Sequence, residues 1–215
     1  MGNIAVILSG CGFQDGSEIH EATLSLLAIA EAGHSYRCFA PDKVQRKVVD
    51  HFTGKEVKEE RNALHEAARI ARGKIRPLTQ LKVDHFSSLM IPGGAGAILT
   101  LSDFAINKEN FEVDPDLKRI VVEFYEDKKP IGATCISPVV LAKIFQGMES
   151  LTMTLGTDKA WKETLEKWGM KGEPATISEM VSDERHKIYT TPCYMEPEDI
   201  KGLYQGIKKV VAKLQ

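Results

Sequence analysis

Residues 3–33 read NIAVILSGCGFQDGSEIHEATLSLLAIAEAG. The first six form an apolar, largely β-branched run that stops at the turn-forming cluster Ser9-Gly10-Cys11-Gly12. From Ser17 the period changes: Ile19, Ala22, Leu26, Ile29 and Ala30 fall on one helical stripe, with Ser17 as the expected N-cap and Gly33 as the stop. A strand without polar alternation is buried on both faces, and strand, loop, helix is the opening of a parallel crossover unit. The rest of the chain repeats the pattern. Strands are expected at 36–39, 89–91 and 130–134, helices at 116–128 and 138–145, a strand at 151–155, a helix at 159–168, a hairpin of 179–183 with 188–191 turning at 184–186, and a final helix at 197–214. This order predicts an α/β fold, a mostly parallel sheet with helices on both faces.

Composition narrows the functions available. The chain has 215 residues, 43% hydrophobic and 27% charged, which predicts one globular domain over 1–215. The stretch 43–81 is long, polar and only partly helical, clearest at 66–72, and reads as an insertion. Lysine and arginine number 28 against 30 acidic residues, a net charge of -2, so no global field draws the chain to nucleic acid or an anionic bilayer. The seven basic and four acidic residues at 55–76 read as a solvated face rather than an anion site. The uncharged run 86–102 is broken by Pro92 and three glycines and is shorter than the roughly 20 apolar residues of a membrane span. Four cysteines without a C-x-x-C pair, and six histidines without H-x-H or H-E-x-x-H spacing, point to no metal and a reducing, cytoplasmic setting. The start of the chain, with only a short apolar run and no basic segment before it, reads as a strand rather than a leader peptide.

In open α/β sheets ligands gather beyond the carboxyl ends of the strands. Cys135 follows the strand 130–134 and precedes Pro138, a residue suited to a helix's first turn, so the thiol is expected at a positive helix end, where a thiolate is stabilised. The Ile136 amide would then face an oxyanion formed by attack of Cys135 on a carbonyl, with Gly94 as second donor and Gly93 beside it. A carbonyl adduct also needs an acid–base partner. Glu21 is the best placed, off the apolar stripe beside Leu24, Ser25 and Ala28, whereas Glu18 reads as a solvent-facing first-turn carboxylate. His20 reads as surface in preference to a group supporting the site, and Gly93, Glu18, His20 and Cys11 are the candidates for lining the pocket.

Several blocks resemble the ElbB family, the isoprenoid-biosynthesis proteins with an amidotransferase-like domain. They are N-I-A-V-I-L-S-G-C-G-x-x-D-G-S-E-I-H-E at 3–21, C-F-A-P-D at 38–42, R-N-x-L-x-E-A-A-R-I-A-R-G at 61–73, I-P-G-G-x-G-A at 91–97, C-I-S-P at 135–138 and T-T-P-x-Y-M at 190–195. The resemblance covers nearly the whole chain in collinear order. It places the chain in the wider glutamine amidotransferase-like group with the PfpI-type proteins, and implies a flavodoxin-like three-layer sandwich, a homodimer, and a reactive cysteine paired with a glutamate of the first helix, here Glu21. The implied activity is a weak, cofactor-free glyoxalase that turns a small aldehyde, glyoxal or methylglyoxal, into a hydroxy acid. No histidine follows Cys135 before His186, so a triad glutaminase is not expected. Where the family carries a Lys-Asn pair near the pocket this chain has Leu99-Thr100, removing a positive charge and an amide. The competing reading is a non-enzymatic thiol sensor or regulatory binding protein, in which Cys135 oxidises to a sulfinic acid.

Overall fold

The computed structural model describes residues 2–197 and 199–215. Its centre is a seven-stranded sheet of β1 (Asn3–Ile7), β2 (Ser35–Ala40), β3 (Ile75–Pro77), β4 (Ser88–Ile91), β5 (Ile131–Thr134), β6 (Val181–Asp183) and β7 (Ile188–Thr191). The spatial order is β6-β7-β5-β4-β1-β2-β3, parallel throughout except for the β6–β7 hairpin. Ile4, Ala5, Val6 and Ile7 point alternately to the two faces and all are fully buried, so both faces are covered.

The longer helices are α1 (Ile19–Glu31), α2 (Ala63–Ile70), α3 (Pro115–Glu126), α4 (Pro138–Phe145), α5 (Lys159–Lys167) and α6 (Ile200–Val211). Helix α1 packs against α6, and α3 against α4. The expected three-layer sandwich is therefore the observed one, a flavodoxin-like fold. No helix among the described residues is long and apolar enough to cross a membrane. Within the expected helix 197–214, Glu198 lies outside the described residues, and α6 covers the core of that span.

Two expectations change. Ser17 does not cap α1: its hydroxyl accepts from the Ser9 amide at 2.8 Å, and Glu18 is the N-cap, its carboxylate accepting from the Glu21 amide at 2.7 Å. The polar stretch 43–81 is not wholly outside the sheet, because it supplies α2 and the edge strand β3. Three residues with arginine at the centre and proline at the end carry no strand period, and an edge position tolerates both.

The chain adds β2 and β3 on one side of β1, then returns to add β4, β5 and β7 on the other. The reversal falls between β1 and β4, the topological switch point at which α/β sheets open a crevice beyond their carboxyl ends. Loops 8–18, 92–95 and 135–137 all emerge at that end of the sheet.

Close packing at the sheet centre is testable at Gly132. A Cβ there would stand 2.8 Å from Val210 Cγ1 and 2.9 Å from Met90 Sδ, of which the methionine is the flexible one. Gly132→Ala is expected to fold and to lose about 1–3 kcal/mol in urea denaturation.

Candidate active site

Cys135 sits on a sharp turn between β5 and α4 with φ of 58°. A non-glycine residue in this region is strained by on the order of 1–3 kcal/mol and persists only where its surroundings hold it. Here the Cys135 amide donates to the Thr191 carbonyl at 2.9 Å, and the Ser137 hydroxyl donates to the Pro92 carbonyl at 2.8 Å, tying the turn to the loop after β4. The amides of Gly94 and Ile136 both face the Cys135 sulfur.

The loop after β1 is tied to the loop after β4 through the backbone. The amides of Glu18, Ala95 and Gly96 all donate between the two loops: Glu18 N–H to Gly93 O at 2.9 Å, Ala95 N–H to Phe13 O at 2.9 Å and Gly96 N–H to Gly16 O at 2.8 Å. Contact this close leaves no room for side chains. A Cβ on Gly93 would collide with Cys135 Cβ and stand 2.7 Å from Glu21 Oε2, while Gly94 has φ of 100° with the Glu18 amide against it.

Glu21 comes up from the first turn of α1 to the same point. Its Oε2 accepts from the Gly93 amide at 3.0 Å and from the Thr134 hydroxyl at 2.8 Å, and its Oε1 is buried without a hydrogen-bond partner among the described residues. The carboxyl is fully buried and in contact with the Cys135 thiol. Burial, reinforced by the nearby Glu18 charge and offset in part by the Thr134 and Gly93 donors, pushes Glu21 from the ordinary 4.5 up to about 7.

The same burial acts on the thiol. Cys135 is 7% exposed, and desolvation followed by the Glu21 charge holds it well above an ordinary thiol, outweighing the two amides. The sequence-based expectation of a standing thiolate at a helix end is thus corrected. Below about pH 7 both groups are protonated; above it one proton remains, on the sulfur, and the thiolate forms only when Glu21 takes that proton.

Cys135 and Ile136 form part of the wall of a cavity of about 510 Å3. Glu18 and His20 line it too, so Glu18 is a buried wall residue rather than a solvent-facing one. His20 is exposed at the rim and its Nδ1 is 2.8 Å from the Tyr194 hydroxyl. Cys11 is not brought to this cavity; it is half-buried nearer Glu66 and Arg69, and burial raises its thiol. Leu99 and Thr100 do not line the cavity, whereas Ile98 does. The basic stretch divides: Arg61 and Arg69 pair with Glu59 and Glu66, while Arg72, Lys74 and Arg76 line a separate cavity, about 750 Å3, at the opposite end of the strands.

Sequence reasoning missed Thr134, Phe13, Trp161, Tyr194 and Met195. Thr134 precedes Cys135 directly, and Tyr194 and Met195 stand in the T-T-P-x-Y-M block, so those three carried a signal. Trp161 reaches the cavity from α5, and nothing in its local sequence shows this.

A parallel sheet carrying a cysteine on a strained turn, answered by a carboxyl from the first helix, defines a protein of the amidotransferase-like class. The comparisons agree. The ES1 protein homolog, mitochondrial, of Rattus norvegicus is 38% identical over 98% of this chain and 82% of its own length. The crystal structure of an isoprenoid biosynthesis protein with amidotransferase-like domain from Ehrlichia chaffeensis is 38% identical, covering 99% of this chain and 98% of that one with a TM-score of 0.91. Drosophila melanogaster DJ-1beta, at 17% identity, TM-score 0.59 and coverage of 99% and 89%, shares the fold. A scan against protein-family models finds no match. The chain belongs to the family of ES1 and isoprenoid-biosynthesis proteins with an amidotransferase-like domain, the ElbB family.

The raised Glu21 carboxyl has a definite linkage to stability. Between pH 4.5 and about 7 the folded chain holds this proton more tightly than the unfolded chain, so Glu21 makes stability fall as pH rises through that window, by on the order of 3 kcal/mol in total. Glu21→Gln removes this slope. Its stability relative to wild type, followed by thermal unfolding, is expected to increase from pH 4.5 to 7 and then level off.

Proposed function

We propose that this protein is a cofactor-free glyoxalase-like enzyme that converts a 2-oxoaldehyde to a 2-hydroxy acid through a hemithioacetal on Cys135. The single observation that carries the reading is the buried pairing of the Cys135 thiol with Glu21, a carboxyl held at about 7 and otherwise engaged only through Oε2. A general acid–base group is most effective when its pKa lies near the working pH, because it then both accepts and returns a proton readily.

Glu21 takes the thiol proton as the sulfur adds to the aldehyde carbon, and the oxygen that gains charge is met by the Gly94 and Ile136 amides until Glu21 passes that proton to it and is a carboxylate again. Glu21 next removes the hydrogen from the former aldehyde carbon, giving an enediol, and returns a proton to the neighbouring carbon. The product is a thioester on Cys135 with a hydroxyl beside it. Water cleaves that thioester, restoring the thiol and releasing the hydroxy acid. The net change is addition of one water, with one carbon oxidised and its neighbour reduced, so no external redox partner is required.

Isoprenoid biosynthesis is in the name of the Ehrlichia relative, and a mitochondrial location in that of the rat relative. The thiol-sensor reading has less support, since sensing relies on an exposed, standing thiolate and Cys135 is buried with its thiol pushed up.

Wild type incubated with methylglyoxal is expected to form lactate, Cys135→Ala to form none, and Glu21→Gln to lose about 10²–10⁴-fold in rate. Because attack needs Glu21 ionised, kcat/KM is expected to rise about tenfold per pH unit below pH 7 and to flatten above it. Equal lactate formation by Cys135→Ala would end the proposal.

A further inference from the structure

The cavity beside Cys135 is built for more than a three-carbon aldehyde. At about 510 Å3 it falls within the roughly 300–1,000 Å3 of pockets that enclose drug-sized ligands. Cys135 contributes to one part of its wall, and Phe13, Ile98, Trp161 and Met195 supply apolar and aromatic surface. Methylglyoxal bound at the sulfur would leave most of that surface facing water, an unfavourable arrangement that a larger apolar group removes.

Charge selects further. None of the described lining residues is lysine or arginine, and Glu18, 9% exposed, presents a carboxylate to the cavity while its Oε2 caps α1. An anionic ligand would lose water here with no cation to receive it and would meet a like charge. The His20–Tyr194 contact is a further polar feature, at the rim.

From this combination we infer that the cavity recognises carbonyl compounds whose remaining group is neutral and bulky, an aryl or branched alkyl chain lodged against Trp161 and Phe13, in preference to small or carboxylate-bearing aldehydes. The inference rests on the reading of Cys135 as the carbonyl-attacking group and adds the substrate class. Trp161 and Phe13 are its specificity-determining residues, and Glu18 is the group that excludes anions.

The test uses reactivity of the thiol itself, so that it stands apart from turnover. Alkylation of Cys135 by chloroacetamide, chloroacetanilide and 4-(chloroacetamido)benzoate is followed by intact mass, each rate divided by that with glutathione. The anilide is expected to exceed chloroacetamide by roughly tenfold or more, the value of burying one ring, and the benzoate to lose that advantage. Trp161→Ala and, independently, Phe13→Ala are expected to lower the anilide-to-chloroacetamide ratio, and Glu18→Gln to raise the benzoate rate relative to the anilide. A ratio near one in wild type, or a benzoate as fast as the anilide, overturns the inference. In parallel, kcat/KM for phenylglyoxal is expected to exceed that for methylglyoxal. Turnover of methylglyoxal with the better kcat/KM contradicts the inference and leaves the glyoxalase reading standing. Absence of turnover for both, with the alkylation order intact, removes the glyoxalase reading and leaves the cavity preference standing.

Discussion

A carboxyl and a thiol that share one dry space cannot both be charged, and the organisation of this site follows from that constraint. Glu21 and Cys135 are each pushed up by burial, and the Glu21 charge raises the thiol further. Above about pH 7 the pair therefore keeps one proton, on the sulfur. That proton is the resource a thiol–carbonyl reaction needs: it leaves the sulfur at attack and is returned when the adduct collapses. Removing either partner leaves the other as an ordinary buried group.

Holding the pair together requires three loops to meet within hydrogen-bond distance. The loop after β1 is joined to the loop after β4 by backbone bonds through Phe13, Gly16, Glu18 and Gly93. The loop after β4 is joined to the turn after β5 through Ser137 and Pro92, and Thr134 bridges the Gly93 amide to Glu21. The fold supplies the meeting point because the sheet reverses direction of growth between β1 and β4. The cavity above is mainly apolar, so a reacting group there is screened from water by the same residues that select its shape.

Much of this was legible in the sequence where a local period or a special residue carried it. The apolar run at 3–8, the stripe from Ile19 to Ala30 and Pro138 at the head of α4 announced the parallel sheet and the position of Cys135. Glu21 was recognisable because it stands off the apolar stripe yet is followed by small residues, Ser25 and Ala28, which let the helix edge be buried. The edge strand β3 was hidden, since three residues with arginine and proline have no period. The thiol's electrostatics were misread for a different reason: a helix terminus and its neighbouring amides are visible in sequence, but the depth of burial that outweighs them is set by residues far along the chain. Trp161 illustrates the same limit, arriving at the cavity from a helix whose sequence gives only its amphipathic face.

Glu21 is a carboxylic acid below neutrality and a carboxylate above it, while Cys135 remains a thiol. Infrared difference spectroscopy between wild type and Glu21→Gln, taken as a function of pH, reads this directly through the carbonyl stretch of the protonated carboxyl. A band assignable to Glu21 is expected at pH 6 and disappears with a midpoint at about 7. Disappearance at the ordinary 4.5, leaving no protonated carboxyl near neutrality, would contradict it.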